Sequence, residues 1–236
     1  MLLEVSGLCA GYGSKQVIHG VDLHVGEREV VTVLGHNGAG KSSLMSAIFG
    51  VIPITTGRVA FNGQDVTALS PSEKVVAGMG YSPQGGESFR TLTVMDNLAL
   101  GGFPLKDQSQ IPERIRAVQD LFPALRERRN SRAGSLSGGE RQMLALGALL
   151  VASPRLVILD EPSGGLSPQM VDKMYEAIRN VAENLGASVL LVEQEVSHAL
   201  EISDRAYVLG NGRVTFEGAA QELAKSERLG DLLLGF

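Results

Sequence analysis

The chain has 236 residues, of which 44% are hydrophobic and 20% charged, enough for one large domain or two small ones with a sizeable core, and this excludes a disordered chain. Its 26 acids against 21 bases give a net charge of -5, the wrong sign for a surface built to hold nucleic acid. The longest purely apolar stretch, Met143 to Ala152, covers 10 residues and falls short of the ~18 needed to cross a bilayer. No basic, then apolar, leader opens the chain, and the single cysteine, Cys9, excludes an internal disulfide framework and a cysteine-built metal cluster; a cytosolic protein is expected.

In chain order, short alternating pieces such as Val17-Ile18 and Val21 to Val25 predict an antiparallel patch, joined later by Arg58 to Phe61 ahead of the turn Asn62-Gly63. The run Val30 to Leu34 is apolar and β-branched on both faces, the pattern of a buried parallel strand. A helix follows from Lys41, with Leu44, Ala47 and Ile48 at helical spacing, and ends on Gly50. Met79 to Ser82 reads as a further strand. Between Gly85 and Ser135 strand signals vanish; a helical pattern at Ile111 to Leu121 and a charged segment at Arg126 to Arg132 predict a helical insert. Strand patterns recur at Leu156 to Leu159 and Ser188 to Val192, around an amphipathic helix from Pro168 to Leu185 with Pro168 in its first turn. Buried strands interleaved with helices imply an α/β fold with a mostly parallel sheet. No internal repeat or long linker divides the chain, so a single domain over 1–236 is expected, with a helical subdomain at approximately 86–152.

The 29 glycines sit in short groups at element boundaries rather than in a low-complexity linker. One group, Gly35-His36-Asn37-Gly38-Ala39-Gly40-Lys41-Ser42, has the spacing of a phosphate-binding loop and falls between the predicted strand and helix, where that mechanism requires it. Its glycines let main-chain N–H groups converge on phosphate oxygens, the helix adds its positive end, and the Lys41 ammonium reaches the β- and γ-phosphates, with Ser42 as a Mg²⁺ ligand and Ser43 beside it. A second feature is a strand ending in Asp160-Glu161. Asp160 can hold a Mg²⁺-bound water and Glu161 can polarise an attacking water, although an acidic pair after a strand is by itself usually just solvated. A third is Leu136-Ser137-Gly138-Gly139-Glu140-Arg141-Gln142, ahead of a helix to Ala152. Ser137 can cap that helix, and Gly138 and Gly139 expose N–H groups to an anion, here a nucleotide held by another copy or a partner chain.

With these three motifs in place, the chain resembles the ATP-binding subunit of an ABC transporter over essentially its whole length, with a P-loop NTPase core. The resemblance implies a Mg-dependent ATPase in a head-to-tail dimer, homo- or heterodimeric, with each ATP between one chain's phosphate loop and the other's signature. It implies transmembrane permease subunits as partners, a periplasmic or extracellular solute-binding protein acting indirectly, a peripheral location on the cytoplasmic face of the membrane, and no nucleic acid. Tyr12 resembles the aromatic that stacks on adenine, and Gln84 the glutamine that contacts Mg²⁺ and the attacking water. Alone, either would say little.

Two positions depart from the family pattern. Gln194 stands where most relatives carry a γ-phosphate-sensing histidine; it donates a hydrogen bond but carries no charge. His198, four residues on, reads as a surface residue. Ser167 stands where many relatives have an aspartate at the dimer seam. These residues and the stretch after Gly138 are most similar to the LivF type, the smaller ATPase of branched-chain amino acid importers, a branch shared with urea and short-amide importers. Further readings are a soluble ABC-type ATP switch acting on nucleic acid, disfavoured by the lack of sustained heptads and basic arms, and a slow, binding-only regulatory subunit.

Overall fold

Strands that are apolar on both faces must be covered on both sides, and this organises the molecule. The computed structural model describes residues 1–226 and 229–234. Its strands are β1 (Leu3–Tyr12), β2 (Lys15–Val25), β3 (Val30–Leu34), β4 (Ile54–Phe61), β5 (Gln64–Asp65), β6 (Met79–Ser82), β7 (Leu156–Asp160), β8 (Ser188–Val192), β9 (Arg205–Gly210) and β10 (Arg213–Ala219). Its helices are α1 (Lys41–Phe49), α2 (Pro71–Ala77), α3 (Val94–Gly101), α4 (Ile111–Leu121), α5 (Pro123–Glu127), α6 (Gly138–Val151), α7 (Pro168–Glu183), α8 (Val196–Ile202), α9 (Ala220–Ala224) and α10 (Leu229–Leu234).

Two sheets result. The antiparallel one has the order β2-β1-β4-β5, and the larger runs β10-β9-β3-β8-β7-β6. In the larger sheet every pairing is parallel except β9 with β10. Alternation along its strands feeds two separate cores. Val31, Val33, Leu156, Ile158, Leu190 and Val192 pack with α1 and the antiparallel sheet, while Val30, Leu34, Val157, Leu159, Val189 and Leu191 pack with α6, α7 and α8. With both faces occupied, the chain's polar chemistry is displaced to the strand ends.

The expected antiparallel patch, buried strands, and helices from Lys41 and Pro168 are all present. The patterns at α2 and α3 were not singled out in the sequence, although each begins with a reciprocal cap, Ser70 with Glu73 and Thr93 with Asp96. The β9–β10 hairpin was also missed: Val208 and Leu209 are buried, but its turn is Asn211-Gly212, a short signal between irregular flanks. From Gly85 to Ser135 the chain forms helices and turns, with one isolated bridge between Thr93 and Arg132. Arg126, in the charged segment, pairs with Asp120.

Helices α3 and α6 approach closely because Gly101 lacks a side chain: a Cβ there would lie 1.9 Å from the Ala148 carbonyl oxygen. Gly101→Ala is therefore expected to destabilise the chain by about 1–3 kcal/mol, read from the midpoint of urea unfolding.

Candidate nucleotide site

The carboxyl ends of β3, β6, β7 and β8 lie side by side in the parallel sheet, the edge at which open α/β sheets hold ligands. The loop from Gly35 to Gly40 joins β3 to α1. Gly40 has φ 105°, a left-handed conformation, and a Cβ on Gly35 would sit 2.2 Å from the Leu209 carbonyl oxygen, so neither position tolerates a side chain. Helices α2, α3 and α6 each carry a capping side chain and an acid in the first turn, but α1 has neither. Its leading N–H groups meet no side-chain acceptor and open onto a cavity, the arrangement that receives an anion.

Lys41 is 5% exposed, and its Nζ donates to the carbonyl oxygens of Gly35 at 2.8 Å and His36 at 3.2 Å. Burial lowers its pKa, opposed by the charges of Glu161, Asp160 and Glu193. Across the cavity Ser42 Oγ donates to Asp160 Oδ1 at 3.0 Å. Burial raises the Asp160 pKa, against the Ser42 hydrogen bond, and the neighbouring Glu161 charge adds to the rise.

Glu161 follows β7 with φ 49°, unusual for a residue with a side chain and costly by about 1–2 kcal/mol. Its N–H donates to the Val192 carbonyl at 2.9 Å, which ties the turn to the end of β8. Both carboxylate oxygens are engaged: Gln84 Nε2 donates to Oε2 at 2.6 Å and Gln194 Nε2 to Oε1 at 2.7 Å. A carboxylate held in a strained backbone conformation by two neutral amides, facing a lysine across a cavity, is a site built to orient a reactant.

The cavity, of about 420 Å³, is lined by Asn37, Gly38, Gly40, Lys41, Ser42, Ser43, Gln84, Glu161 and Gln194, with Val17 at one side. Gly35, His36 and Ala39 form the back of the loop; the Ala39 N–H donates to the His36 carbonyl. Asp160 reaches the site through Ser42. Tyr12 lies outside the lining, 54% exposed at the end of β1 and paired in register with Lys15. The segment Ser137, Gly138 and Gly139 also lies off this wall. Ser137 Oγ accepts the Glu140 N–H while the Glu140 carboxylate accepts the Ser137 N–H, and Gly138 faces a separate pocket shared with Gln84, Arg90 and Arg141.

His198 lies away from the cavity lining, as a surface residue would, but it is not bare. It is half-buried, its ring stacks on Tyr175 with centroids 5.3 Å apart, and its Nε2 lies 3.5 Å from Asp172, because α8 packs this face against α7. Sequence reasoning also passed over Glu193, 2% exposed, which accepts the N–H of Ser163 at 3.0 Å and of Gln194 at 3.1 Å. The available signal was an acid placed directly after a fully apolar buried run, a position that tolerates a charge only if it is bonded.

Residues 18–164 match the family described as ABC transporter. The chain belongs to that family, as an ATP-binding domain. This ABC domain is 40% identical over 234 residues, 99% of each chain, to the probable branched-chain amino acid transport ATP-binding protein LivF of Archaeoglobus fulgidus. It is 39% identical over 234 residues to the high-affinity branched-chain amino acid transport ATP-binding protein BraG of Pseudomonas aeruginosa, covering 99% of this chain and 100% of that one. Its fold superposes with TM-score 0.86 on the ADP conformation of MJ1267, an ATP-binding cassette of an ABC transporter, at 23% identity over 98% and 97% of the two chains.

The raised pKa of Asp160 makes a stability prediction for the ABC domain. A carboxyl whose folded pKa exceeds its unfolded value destabilises the fold once ionised, and this effect disappears as pH falls to the unfolded pKa. Asp160→Asn keeps the acceptor for Ser42, so it is expected to raise the melting temperature of the nucleotide-free chain at pH 7. The gain should vanish as thermal unfolding is repeated toward pH 4.

Proposed function

We propose that this chain is the ATP-hydrolysing subunit of an ABC importer for branched-chain or other hydrophobic amino acids. The observation that carries the reading is that Lys41 and Ser42, at an uncapped helix start, share one cavity with a Glu161 carboxylate held by two amides. Main-chain N–H groups of the loop and α1 take up phosphate oxygens, and Lys41 exchanges the Gly35 and His36 carbonyls for the β- and γ-phosphates. Glu161 accepts the proton of the attacking water, with Gln84 and Gln194 fixing the carboxylate's orientation.

Three acids, Asp160, Glu161 and Glu193, act electrostatically on the single ammonium of Lys41, so an unescorted triphosphate would meet net repulsion. The Ser42–Asp160 pair is a hard-oxygen set at the right edge for Mg²⁺, and Gln84, in the loop after β6, adds an amide oxygen. Bound there, Mg²⁺ would neutralise phosphate charge and polarise the γ-phosphoryl group. Tyr12 is assigned to the adenine, outside the phosphate cavity. Ser137, Gly138 and Gly139 are assigned to the nucleotide of a second ATP-binding subunit, in keeping with their position off this chain's own cavity wall.

Helices α3 to α6 make up the helical insert of a one-domain chain, and an apolar groove lies where they meet the core. Phe89 and Phe103, the latter 82% exposed, rim it, and Phe49, Tyr81 and Leu149 line it. No helix among the described residues is long and apolar enough to cross a membrane. The groove is the surface we assign to the permease, in keeping with a peripheral position at the cytoplasmic membrane face; on this reading recognition of the solute falls to the membrane subunits and the solute-binding protein.

Binding and turnover of Mg-ATP by the purified chain test this assignment. Lys41→Ala is expected to weaken Mg-ATP binding by about tenfold or more, whereas Glu161→Gln should leave affinity nearly intact and lower turnover by about 10²–10⁴-fold. Unchanged affinity in Lys41→Ala would remove the phosphate-loop assignment. Because Gln194 does not titrate, the wild-type rate should lack an ionisation near pH ~6.5 that Gln194→His introduces, visible as a new limb in the pH–rate profile.

A further inference from the structure

One buried carboxylate enters the scheme above only through its charge on Lys41. Glu193 follows β8 directly, and its two oxygens face in different directions: Oε1 accepts the Ser163 N–H at 3.0 Å and Oε2 the Gln194 N–H at 3.1 Å. Ser163 belongs to the turn that leaves Glu161, itself closed by Gly164 N–H donating to the Glu161 carbonyl and Leu166 N–H to that of Ser163, both at 3.1 Å. Gln194 in turn donates its side-chain amide to Glu161 Oε1 at 2.7 Å. A ring of bonds therefore runs from the Glu161 main chain through Ser163, the Glu193 carboxylate and the Gln194 backbone back to the Glu161 carboxylate.

The position is expensive for an acid. Glu193 is 2% exposed, and burial pushes its carboxyl up, against hydrogen bonds from Ser163, Gln194 and the Tyr175 side chain. A hydrophobic residue there would end β8 at lower cost. It would not supply two acceptors, one to each of two loops that carry opposite sides of the same site.

Resting on the hydrolytic role proposed for Glu161, we propose that Glu193 is a positioning residue: its carboxylate fixes the turn after Glu161 and the backbone of Gln194 in one register, and so sets the Glu161–Gln194 contact. It touches neither phosphate nor water, and its effect belongs to the chemical step rather than to nucleotide binding.

The test compares wild type, Glu193→Ala and the isosteric Glu193→Gln as full-length chains, using Mg-ATP affinity, single-turnover hydrolysis at saturating Mg-ATP, and amide hydrogen exchange. Glu193→Ala is expected to slow turnover by about tenfold to a hundredfold with affinity within about twofold of wild type. Amide exchange should speed up at Ser163 and Gln194 while α7 keeps its protection. Glu193→Gln retains one acceptor of the two, and its rate should fall between the others. Turnover unchanged in Glu193→Ala, or affinity and turnover falling together with the melting temperature, overturns the proposal, as does a wild-type rate and unaltered exchange in Glu193→Gln. Failure of the cavity assignment is read separately, from Lys41→Ala binding Mg-ATP as wild type does; the exchange at Ser163 and Gln194 then still judges the tie.

Discussion

The constraint on which the rest depends is the two-sided burial of the parallel sheet. β3, β7 and β8 place alternate residues in two different cores, so no residue within them is free to meet solvent. Polar groups emerge only where the strands stop. Four neighbouring strands stop at the same edge, and the residues just beyond them, Gly35, Gln84, Glu161 and Gln194, come from positions far apart in the chain. Strand register thereby fixes the site geometry: Asp160 pairs with Val192, which puts Glu161 in step with Glu193 at the sheet edge and leaves the Gln194 side chain within reach of the Glu161 carboxylate.

Electrostatics then separates the two ends of the cavity. On the loop side stand main-chain dipoles and one buried ammonium; on the β7–β8 side stand carboxylates. The groups that hold Glu161 are amides, which orient a carboxylate without neutralising it. A cationic partner in the place of Gln194 would add attraction and a titration. The amide pair orients Glu161 without adding a charge or a titrating group of its own.

Much of this was legible in the sequence because the motifs are local. The glycine-rich loop is eight consecutive residues, and the acid pair is adjacent to its strand, so spacing alone picked out Lys41, Ser42, Asp160 and Glu161, which the fold brings to one cavity. Gln84 and Gln194 were legible only through family resemblance, since a glutamine in a loop has no periodic signature. The sequence gives no hint that both amides converge on Glu161, because that follows from β6 and β8 flanking β7. Glu193 was missed for a related reason: the two bonds that tie it to the loops of the site come from backbone N–H groups, and a main-chain donor leaves no mark on residue identity. The stacking of His198 on Tyr175 was not legible because helix α8 is short, and one turn of sequence does not reveal which face packs on α7. The exposure of Tyr12 and the separation of Ser137 from Lys41 are facts of tertiary placement that the motifs could not supply.

The resting place of Lys41 bears on recognition. A free lysine side chain samples many rotamers, and immobilising it opposes association by about 2 kcal/mol. Here Gly35 and His36 already restrain the ammonium inside the loop. Much of that loss of freedom is settled during folding, and on the proposed reading an arriving phosphate would exchange carbonyl partners instead of ordering a wandering chain. Selectivity at this position therefore rests on the enthalpy of swapping neutral acceptors for anionic ones, which favours polyanions over neutral ligands of the same shape.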